Sequence, residues 1–151
     1  MPTIAEIKAE VDEHYATLAD QPPQTPAQIE ACKALIYLFT VTFKYHMYDE
    51  TAKLVSEDYI QHNEDLGTGR QSIIDFAESR TKGVYWYMRF KRIIVDGEYV
   101  GGQLHVKSSP EDEGVRVFEL LRYKNGVFVE HWDVMQPIKP ASERKNPIGV
   151  F

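Results

Sequence analysis

The sequence lacks several features that would point to common functions. Cys32 is the only cysteine among the 151 residues, which excludes an intrachain disulfide framework and is typical of a reducing compartment. No apolar run approaches the ~20 residues that span a bilayer. The opening residues are charged and lack the apolar core of a signal peptide. These absences predict a cytoplasmic protein with no membrane partner.

Basic clusters and cofactor motifs are missing as well. Lys and Arg number 17 against 23 Asp and Glu, a net charge of −6, so nucleic acid is not an expected partner. The glycines of Gly67-Thr68-Gly69 match neither a dinucleotide-binding loop nor a phosphate-binding loop. The five histidines include no closely spaced pair of metal ligands. We therefore expect neither a metal nor an organic cofactor.

The first half of the chain has the pattern of helices. Hydrophobic residues make up 43% of the sequence, enough for the core of one domain. Thr3 with Glu6, and Thr25 with Gln28, have the spacing of capping boxes, and Pro26 suits a first helical position. Thr68 has the same cap spacing. Helices are predicted from Thr3 to about Leu18, from Thr25 through Phe43, around Asp49 to Val55, and after Thr68.

The second half has the pattern of strands. It is rich in aromatic and β-branched residues and is divided by turns at Asp96-Gly97 and Asn125-Gly126. Strands are predicted over Val84–Val95, Tyr99–Ser108, Gly114–Tyr123 and Val127–Gln136.

Helices followed by an antiparallel sheet predict an α+β fold. A curved sheet of this kind, packed on one face against the N-terminal helices, can form a cone-shaped, half-open barrel that encloses one apolar pocket. We interpret residues 1–151 as one domain with a core at about 27–137. An extra helix precedes this core and a proline-containing tail follows it.

Pairing across the Asn125-Gly126 turn predicts which side chains share a face of the last hairpin. A two-residue turn with regular alternation sets Leu120 opposite His131 and Phe118 opposite Asp133. A bulge of one residue would exchange the two sets. One predicted face carries Phe118, Leu120, Arg122, Val129, His131 and Asp133, and the other carries Glu119, Leu121, Tyr123, Phe128, Glu130 and Trp132.

His131 and Asp133 are the main candidates for chemistry. They are two residues apart on one strand face, among apolar neighbours, and such surroundings suit a carboxylate for general acid–base work. The alternative is that both are edge residues satisfied by backbone or solvent. His62 and His105 could orient a substrate carbonyl, or each could be a hydrogen-bonded structural histidine. Trp86 could line the pocket, or could belong to the sheet core or a subunit interface.

Several of these segments together resemble the SnoaL-like polyketide cyclase family of the nuclear-transport-factor-2-like superfamily. The resemblance covers roughly Ala27 to Pro137. The segments that carry it are Tyr59-Ile60-Gln61-His62-Asn63, Gly69 before a helix, Val117 to Arg122, Asn125-Gly126, and Glu130-His131-Trp132-Asp133-Val134-Met135-Gln136. Two positions depart from the family pattern: Glu119, where Asp is frequent, and Glu64, where Pro is frequent.

The resemblance implies a cone-shaped α+β fold, a homodimer formed through the outer sheet face, and a hydrophobic pocket without metal or cofactor. It also implies cyclase, isomerase or lyase chemistry on a small hydrophobic carbonyl compound, with Asp133 as general acid or base. His131 and His62 are the predicted catalytic partners, and His105, Asn63, Phe118, Leu120 and Trp86 the predicted substrate contacts. A non-catalytic carrier of a small hydrophobic molecule and a dimerisation module are the alternative functions.

Overall fold

The computed structural model describes residues 1–151 and contains four α-helices and five β-strands. A π-helical turn, Thr40–Lys44, extends α2, and a short 3₁₀ turn, Ala141–Glu143, lies in the tail. In chain order the elements are α1 (Ile4–Ala16), α2 (Pro26–Phe39), α3 (Tyr48–Leu54), β1 (Val55–Gln61), α4 (Gln71–Arg80), β2 (Tyr87–Asp96), β3 (Tyr99–Lys107), β4 (Val115–Lys124) and β5 (Val127–Pro137).

Two of the predicted helix starts are confirmed and one is wrong. Thr3 and Thr25 each cap their helix in a complete capping box, with Glu6 and Gln28 as the reciprocal partners. Thr68 caps nothing, because α4 begins only at Gln71 and the Thr68 hydroxyl donates instead to the carbonyl of Tyr59. The loop before α4 is therefore attached to the end of β1.

The sheet has the strand order β1-β5-β4-β3-β2 and is not closed. Strands β2 to β5 form an antiparallel meander, and β1 adds to β5 in parallel, so the sheet is mixed and not wholly antiparallel as predicted. No strand was predicted at β1 because Ser56, Glu57 and Asp58 hide the apolar alternation of an edge strand. The α+β fold with helices against an open sheet is confirmed.

The helices cover one face of the sheet and form one continuous core with it. This core contains 22 buried residues drawn from helices and strands, among them Leu35 and Ile36 of α2 and Leu104 of β3, none more than 1% exposed. The longest α-helix has 14 residues, and no helix is both long and apolar enough to cross a bilayer. We refer below to the helix-covered side of the sheet as the inner face and to the opposite side as the outer face.

A single extra residue in β5 decides which side chains of the last hairpin face inward. The pairs Lys124 with Val127 and Tyr123 with Phe128 follow the predicted register, but Arg122 pairs with Glu130, which leaves Val129 as a bulge. Beyond the bulge, β5 has exchanged faces relative to β4. The predicted pairs of His131 with Leu120 and of Asp133 with Phe118 are therefore wrong: the observed partners are Leu121 and Glu119.

Two glycines allow the strands to approach closely beside this hairpin. A Cβ atom on Gly101 would lie 2.0 Å from the carbonyl oxygen of Glu119, and one on Gly102 would lie 1.8 Å from that of Arg92. Both contacts are with backbone atoms, which side-chain movement cannot relieve. Glycine at these positions therefore lets β3 pair with its neighbours at the level of Glu119.

Candidate active site

A cavity of about 910 Å³ lies between the inner face of the sheet and helices α2 and α4. Half of its 28 lining residues are hydrophobic, so a ligand there would bury mostly apolar surface. The polar lining residues include Gln61, Asn63, Glu119, His131 and Asp133, which come from β1, the loop that follows it, and the β4–β5 hairpin.

His131 is held by hydrogen bonds at both ring nitrogens. Its Nδ1 lies 2.6 Å from Oε1 of Gln61, and that oxygen also accepts the backbone N–H of Asn63 at 3.0 Å. Because the Gln61 oxygen is an acceptor, Nδ1 of His131 is the donor in this contact. Its Nε2 lies 2.6 Å from Oε2 of Glu119. A proton between His131 and Glu119 is thus shared across one short hydrogen bond.

Glu119 is a functional candidate that the regular hairpin register placed on the wrong face. It is 6% exposed, and the only hydrogen bond of its side chain within the protein is the one to His131. Burial raises the pKa of the Glu119 carboxyl, His131 offsets part of this effect, and the charge of Asp133 adds to it. The sequence signal that could have found Glu119 is its place in β4, where Val117, Glu119 and Leu121 alternate inward.

Opposing effects act on the pKa of His131. Burial alone would lower the pKa of its imidazole, but the hydrogen bond to Glu119 and the charges of Glu119 and Asp133 outweigh burial and raise it. Both members of the pair therefore hold a proton more tightly than they would in water.

Asp133 lies next to this pair and has its own positioning residue. The side-chain amide of Asn63 donates to both carboxylate oxygens, at 2.9 and 2.8 Å. Parallel pairing sets Gln61 beside His131, and two residues further on Asn63 reaches Asp133 in the same way. The β1–β5 ladder thus places two polar pairs on the inner face, Gln61 with His131 and Asn63 with Asp133.

Tyr59 lies beside His131 in the inner polar group. Its ring stacks on that of His131 at 6.4 Å between centroids, and the residue is 2% exposed. Burial and the nearby carboxylates of Glu119 and Asp133 raise the pKa of its phenol well above the ordinary value. Tyr59 is therefore a neutral hydroxyl that supports the imidazole ring.

Not all predicted site residues reach the cavity. Asp133, His131, Asn63 and Trp86 line it. His62 does not: it lies on the outer face, stacked on Trp132 at 4.9 Å with an interplanar angle of 4°, and its Nε2 contacts Glu130 at 2.9 Å. As the residue between Gln61 and Asn63, His62 points away from both.

Three further predicted contacts also lie on the outer face. His105 bonds to the carbonyl of Glu113 at 2.8 Å and packs against the rings of Tyr87 and Phe151. Phe118 is 47% exposed and lines an outer groove together with Phe151 of the tail. Leu120 faces outward opposite Trp132 because of the bulge at Val129. The predicted placement of all three in the pocket is wrong. For Phe118 and Leu120 the reason is the exchange of strand faces at the bulge, and for His105 it is that β3 turns Leu104 and Val106, not His105, toward the cavity side.

The three ionisable side chains of the site lie close enough to share one small ion. One ligand atom from each of Glu119, His131 and Asp133 falls within 4.8 Å of the others. Two carboxylates and an imidazole are donors that a divalent cation accepts. The same atoms are equally suited to proton transfer, because they combine a shared proton with a positioned carboxylate on an apolar cavity.

Solved structures with the same fold were found by structural comparison. A proposed SnoaL-like polyketide cyclase from Jannaschia superposes with a TM-score of 0.62 at 14% identity, over 76% of this chain and 90% of that one. A proposed SnoaL-like polyketide cyclase from Shewanella putrefaciens gives 0.57 at 19% identity, over 74% and 91%. A proposed ketosteroid isomerase from Kribbella flavida gives 0.58 at 18% identity, over 78% and 89%.

The chain shares its fold with the proposed SnoaL-like polyketide cyclases, so the predicted resemblance is confirmed at the level of the fold. No model of a protein family matches the sequence, and no curated protein matches it significantly. At identities of 14 to 19% these likenesses concern the fold, and the function has to be argued from the site.

Proposed function

We propose that the protein is a cytoplasmic, cofactor-independent cyclase or isomerase that moves a proton next to a carbonyl group of a small hydrophobic compound. The observation that carries the proposal is that Asp133 lies beside the hydrogen-bonded pair of Glu119 and His131 on the wall of one apolar cavity. Proton transfer at carbon needs a base beside the C–H bond and a donor beside the carbonyl oxygen. The cavity offers both groups within a few ångströms of each other.

Asp133 is the proposed base that removes or returns the proton. Both its oxygens accept from Asn63, so the carboxylate is held in one orientation toward the cavity. Removal of a C–H proton next to a carbonyl leaves an enolate, whose negative charge lies mainly on oxygen. Glu119 would donate the proton that it shares with His131 to the enolate oxygen or to the new aldol oxygen, and Asp133 would return the removed proton to carbon.

Deuterium exchange tests this role without knowledge of the natural substrate. β-Tetralone, a small apolar ketone, should exchange its activated C–H protons faster in the presence of the protein in D₂O, followed by NMR. Asp133→Asn should slow the catalysed exchange by roughly 10²-fold or more. His62→Ala, an outer-face variant, is the matched control and should keep the wild-type rate. Full exchange by a folded Asp133→Asn protein would exclude Asp133 as the base.

A chelator separates proton transfer by side chains from metal-assisted chemistry at the same atoms. If the proposal is right, exchange should continue at an unchanged rate after prolonged treatment with EDTA. A loss of exchange that added Zn²⁺ or Mn²⁺ restores would assign the rate to a metal ion held by Glu119, His131 and Asp133.

A non-catalytic carrier is the second candidate function. The size of the cavity, about 910 Å³, and its largely apolar lining suit simple retention of a hydrophobic molecule. Native mass spectrometry of the purified protein would detect such a molecule as a mass above that of the chain. Recovery of the same molecule unchanged after long incubation, together with no deuterium exchange, would favour the carrier.

We also propose a homodimer formed through the outer sheet face. Phe118, Val134 and Ile94 are 47, 72 and 63% exposed there, which is unusual for large apolar residues on one sheet. A second copy of the chain with the same apolar face would cover them.

A further inference from the structure

The lining of the cavity is almost devoid of positive charge. Glu119 and Asp133 lie at its inner end, and Asp65 and Asp75 also belong to the lining. Arg80, at the end of α4, is the one Lys or Arg among the 28 lining residues, and it is exposed to solvent. An anionic ligand would therefore meet carboxylates without a buried cation to pair with.

The inner group carries a negative charge wherever its shared proton lies. If the proton is on His131, the pair consists of an imidazolium and a carboxylate; if it is on Glu119, both are neutral. The pair has no net charge in either case. Asp133 then adds one negative charge, because both its oxygens act as hydrogen-bond acceptors toward Asn63. The charge available to a ligand is thus about −1 without any assumption about the proton's position.

One carboxylate oxygen of Glu119 is free to form a hydrogen bond with a ligand. The residue is 6% exposed, and only its Oε2 is bonded, to His131. Its Oε1 accepts no hydrogen bond from the protein, although Glu119 belongs to the cavity wall. This oxygen can therefore accept a hydrogen bond from a ligand N–H group.

Aromatic rings form a continuous part of the same cavity wall. The centroid of Phe43 lies 5.3 Å from that of Phe39 and 5.9 Å from that of Phe76, and Phe76 lies 6.2 Å from Trp86. All four residues line the cavity. The faces of aromatic rings attract cations, and combinations of aromatic rings with carboxylates recognise ammonium groups.

We propose that the cavity selects a hydrophobic ligand with a positively charged nitrogen, an amine or iminium group, and rejects carboxylates of the same size. Glu119 and Asp133 pair with the nitrogen, and the rings of Phe39, Phe43, Phe76 and Trp86 contact the apolar body. In so far as it names a substrate class, this inference rests on the proposed function: a cationic nitrogen beside the reacting carbon makes its C–H bond more acidic, which eases proton removal.

Three probes that share one ring system test the inference by calorimetry near neutral pH. They are β-naphthylmethylammonium, the neutral methyl β-naphthyl ketone, and β-naphthoate. The ammonium probe should bind at least about tenfold more tightly than the ketone, as expected for one partly screened ion pair. β-Naphthoate should bind more weakly than either. Equal or tighter binding of β-naphthoate, or no binding of the ammonium probe at millimolar concentration, would overturn the inference.

Matched variants locate the selectivity. Asp133→Asn keeps the shape of the side chain and removes the one net charge of the group, so it should reduce the ratio of ammonium to ketone affinity several-fold. Glu119→Gln leaves the net charge of the pair with His131 at zero and should reduce the ratio less. Asp12→Asn removes the same charge from α1, outside the cavity, and should leave the ratio unchanged. If Glu119→Gln does not fold, Asp133→Asn alone decides the matter. A ratio that survives the loss of the cavity carboxylates would contradict the proposal.

The ammonium probe has no carbonyl group, so this measurement is independent of catalysis. Selective binding without deuterium exchange of β-tetralone would retain the cation site and refute the proposed enzyme. Deuterium exchange of β-tetralone without preferential binding of the ammonium probe would support the proposed enzyme and refute the cation site.

Discussion

The two faces of the β4–β5 hairpin differ more in chemistry than any other two regions of the molecule. On the inner face, Glu119 and His131 are 6 and 7% exposed and bond to each other. On the outer face, Phe118 and Val134 are exposed, although they are neighbours of the site residues in sequence. The bulge at Val129 produces this arrangement, since it turns His131 and Asp133 toward Glu119. One extra residue in β5 thus brings the polar side chains together on the inner face.

A change of strand alternation beyond the bulge should have the largest effect on this comparison. Deletion of Trp132 would make Asp133 follow His131 directly and turn it to the outer face, opposite Leu120. We expect loss of cooperative folding, or a folded protein without deuterium exchange. Circular dichroism and thermal melting distinguish the two outcomes. Deletion of Val129 is the matched control: it removes the bulged residue but leaves His131 opposite Leu121 and Asp133 opposite Glu119, so exchange should continue. Native exchange by a folded Trp132-deletion protein would show that the face of Asp133 does not matter for activity.

Loss of one partner of the inner pair should be the next largest effect. His131→Leu leaves the carboxyl of Glu119 buried without a partner, which costs about 3–5 kcal/mol of the free energy of unfolding. The outer-face control is His62→Leu, which breaks an exposed contact with Glu130 and should cost less than about 1 kcal/mol. Urea denaturation measures both. Similar losses in the two variants would mean that the inner pair has no special energetic role.

The pH dependence of stability should sharpen the same comparison. The pKa values of Glu119 and His131 are both raised in the folded protein. A raised pKa stabilises the folded state below the unfolded value, and this stability is lost as the pH rises through the folded value. For His131 the loss therefore occurs above its ordinary pKa of 6.5.

The melting temperature of the wild type should accordingly fall as the pH rises above about 6.5, by more than that of Glu119→Gln. The variant carries no charge at residue 119 and loses the interaction that raises the pKa of His131. Differential scanning calorimetry in buffers of equal ionic strength provides the values. A parallel fall in both proteins would assign the pH dependence to other groups.

A substitution on the outer face should change the oligomeric state of the protein and hardly change the stability of the monomer. Val134→Asp places a charge on a residue that is 72% exposed, so the fold should tolerate it with a change below about 0.5 kcal/mol. If the proposed dimer uses this face, the variant should be monomeric in sedimentation velocity, whereas Asp96→Asn, an exposed control at the end of β2, should stay dimeric. A dimeric Val134→Asp protein would place the interface elsewhere.

Much of the fold was predictable because its signals are local. The capping boxes at Thr3 and Thr25 and the turn at Asn125-Gly126 depend on residues at most three positions apart, and each is confirmed. Asn125 and Gly126 have positive φ angles of 51° and 82°, as the turn requires. Strand β1 was missed because its charged residues face solvent at the edge of the sheet, and its reason for being a strand is its pairing with β5.

The site was predictable only in part. His131, Asp133, Asn63 and Trp86 line the cavity, whereas His62, His105, Phe118 and Leu120 lie on the outer face. The errors at Phe118 and Leu120 come from the assumption of strict alternation through β5, whereas those at His62 and His105 come from strands whose inner face the sequence did not reveal. Glu119 was overlooked because regular pairing set it on the face opposite to His131. No residue between Val127 and Asp133 marks the bulge by its type.

The amino-acid sequence by itself therefore determined the α+β class, the helices and the four strands that follow them, the last turn, and the candidacy of His131 and Asp133. The tertiary structure alone decided that Glu119 is the partner of His131, that Asn63 holds Asp133, and that His62 faces outward. The physical reason is the distance along the chain over which the deciding interactions act. Caps and turns are local hydrogen bonds, whereas a bulge forms where β5 must satisfy β4 and β1 at once.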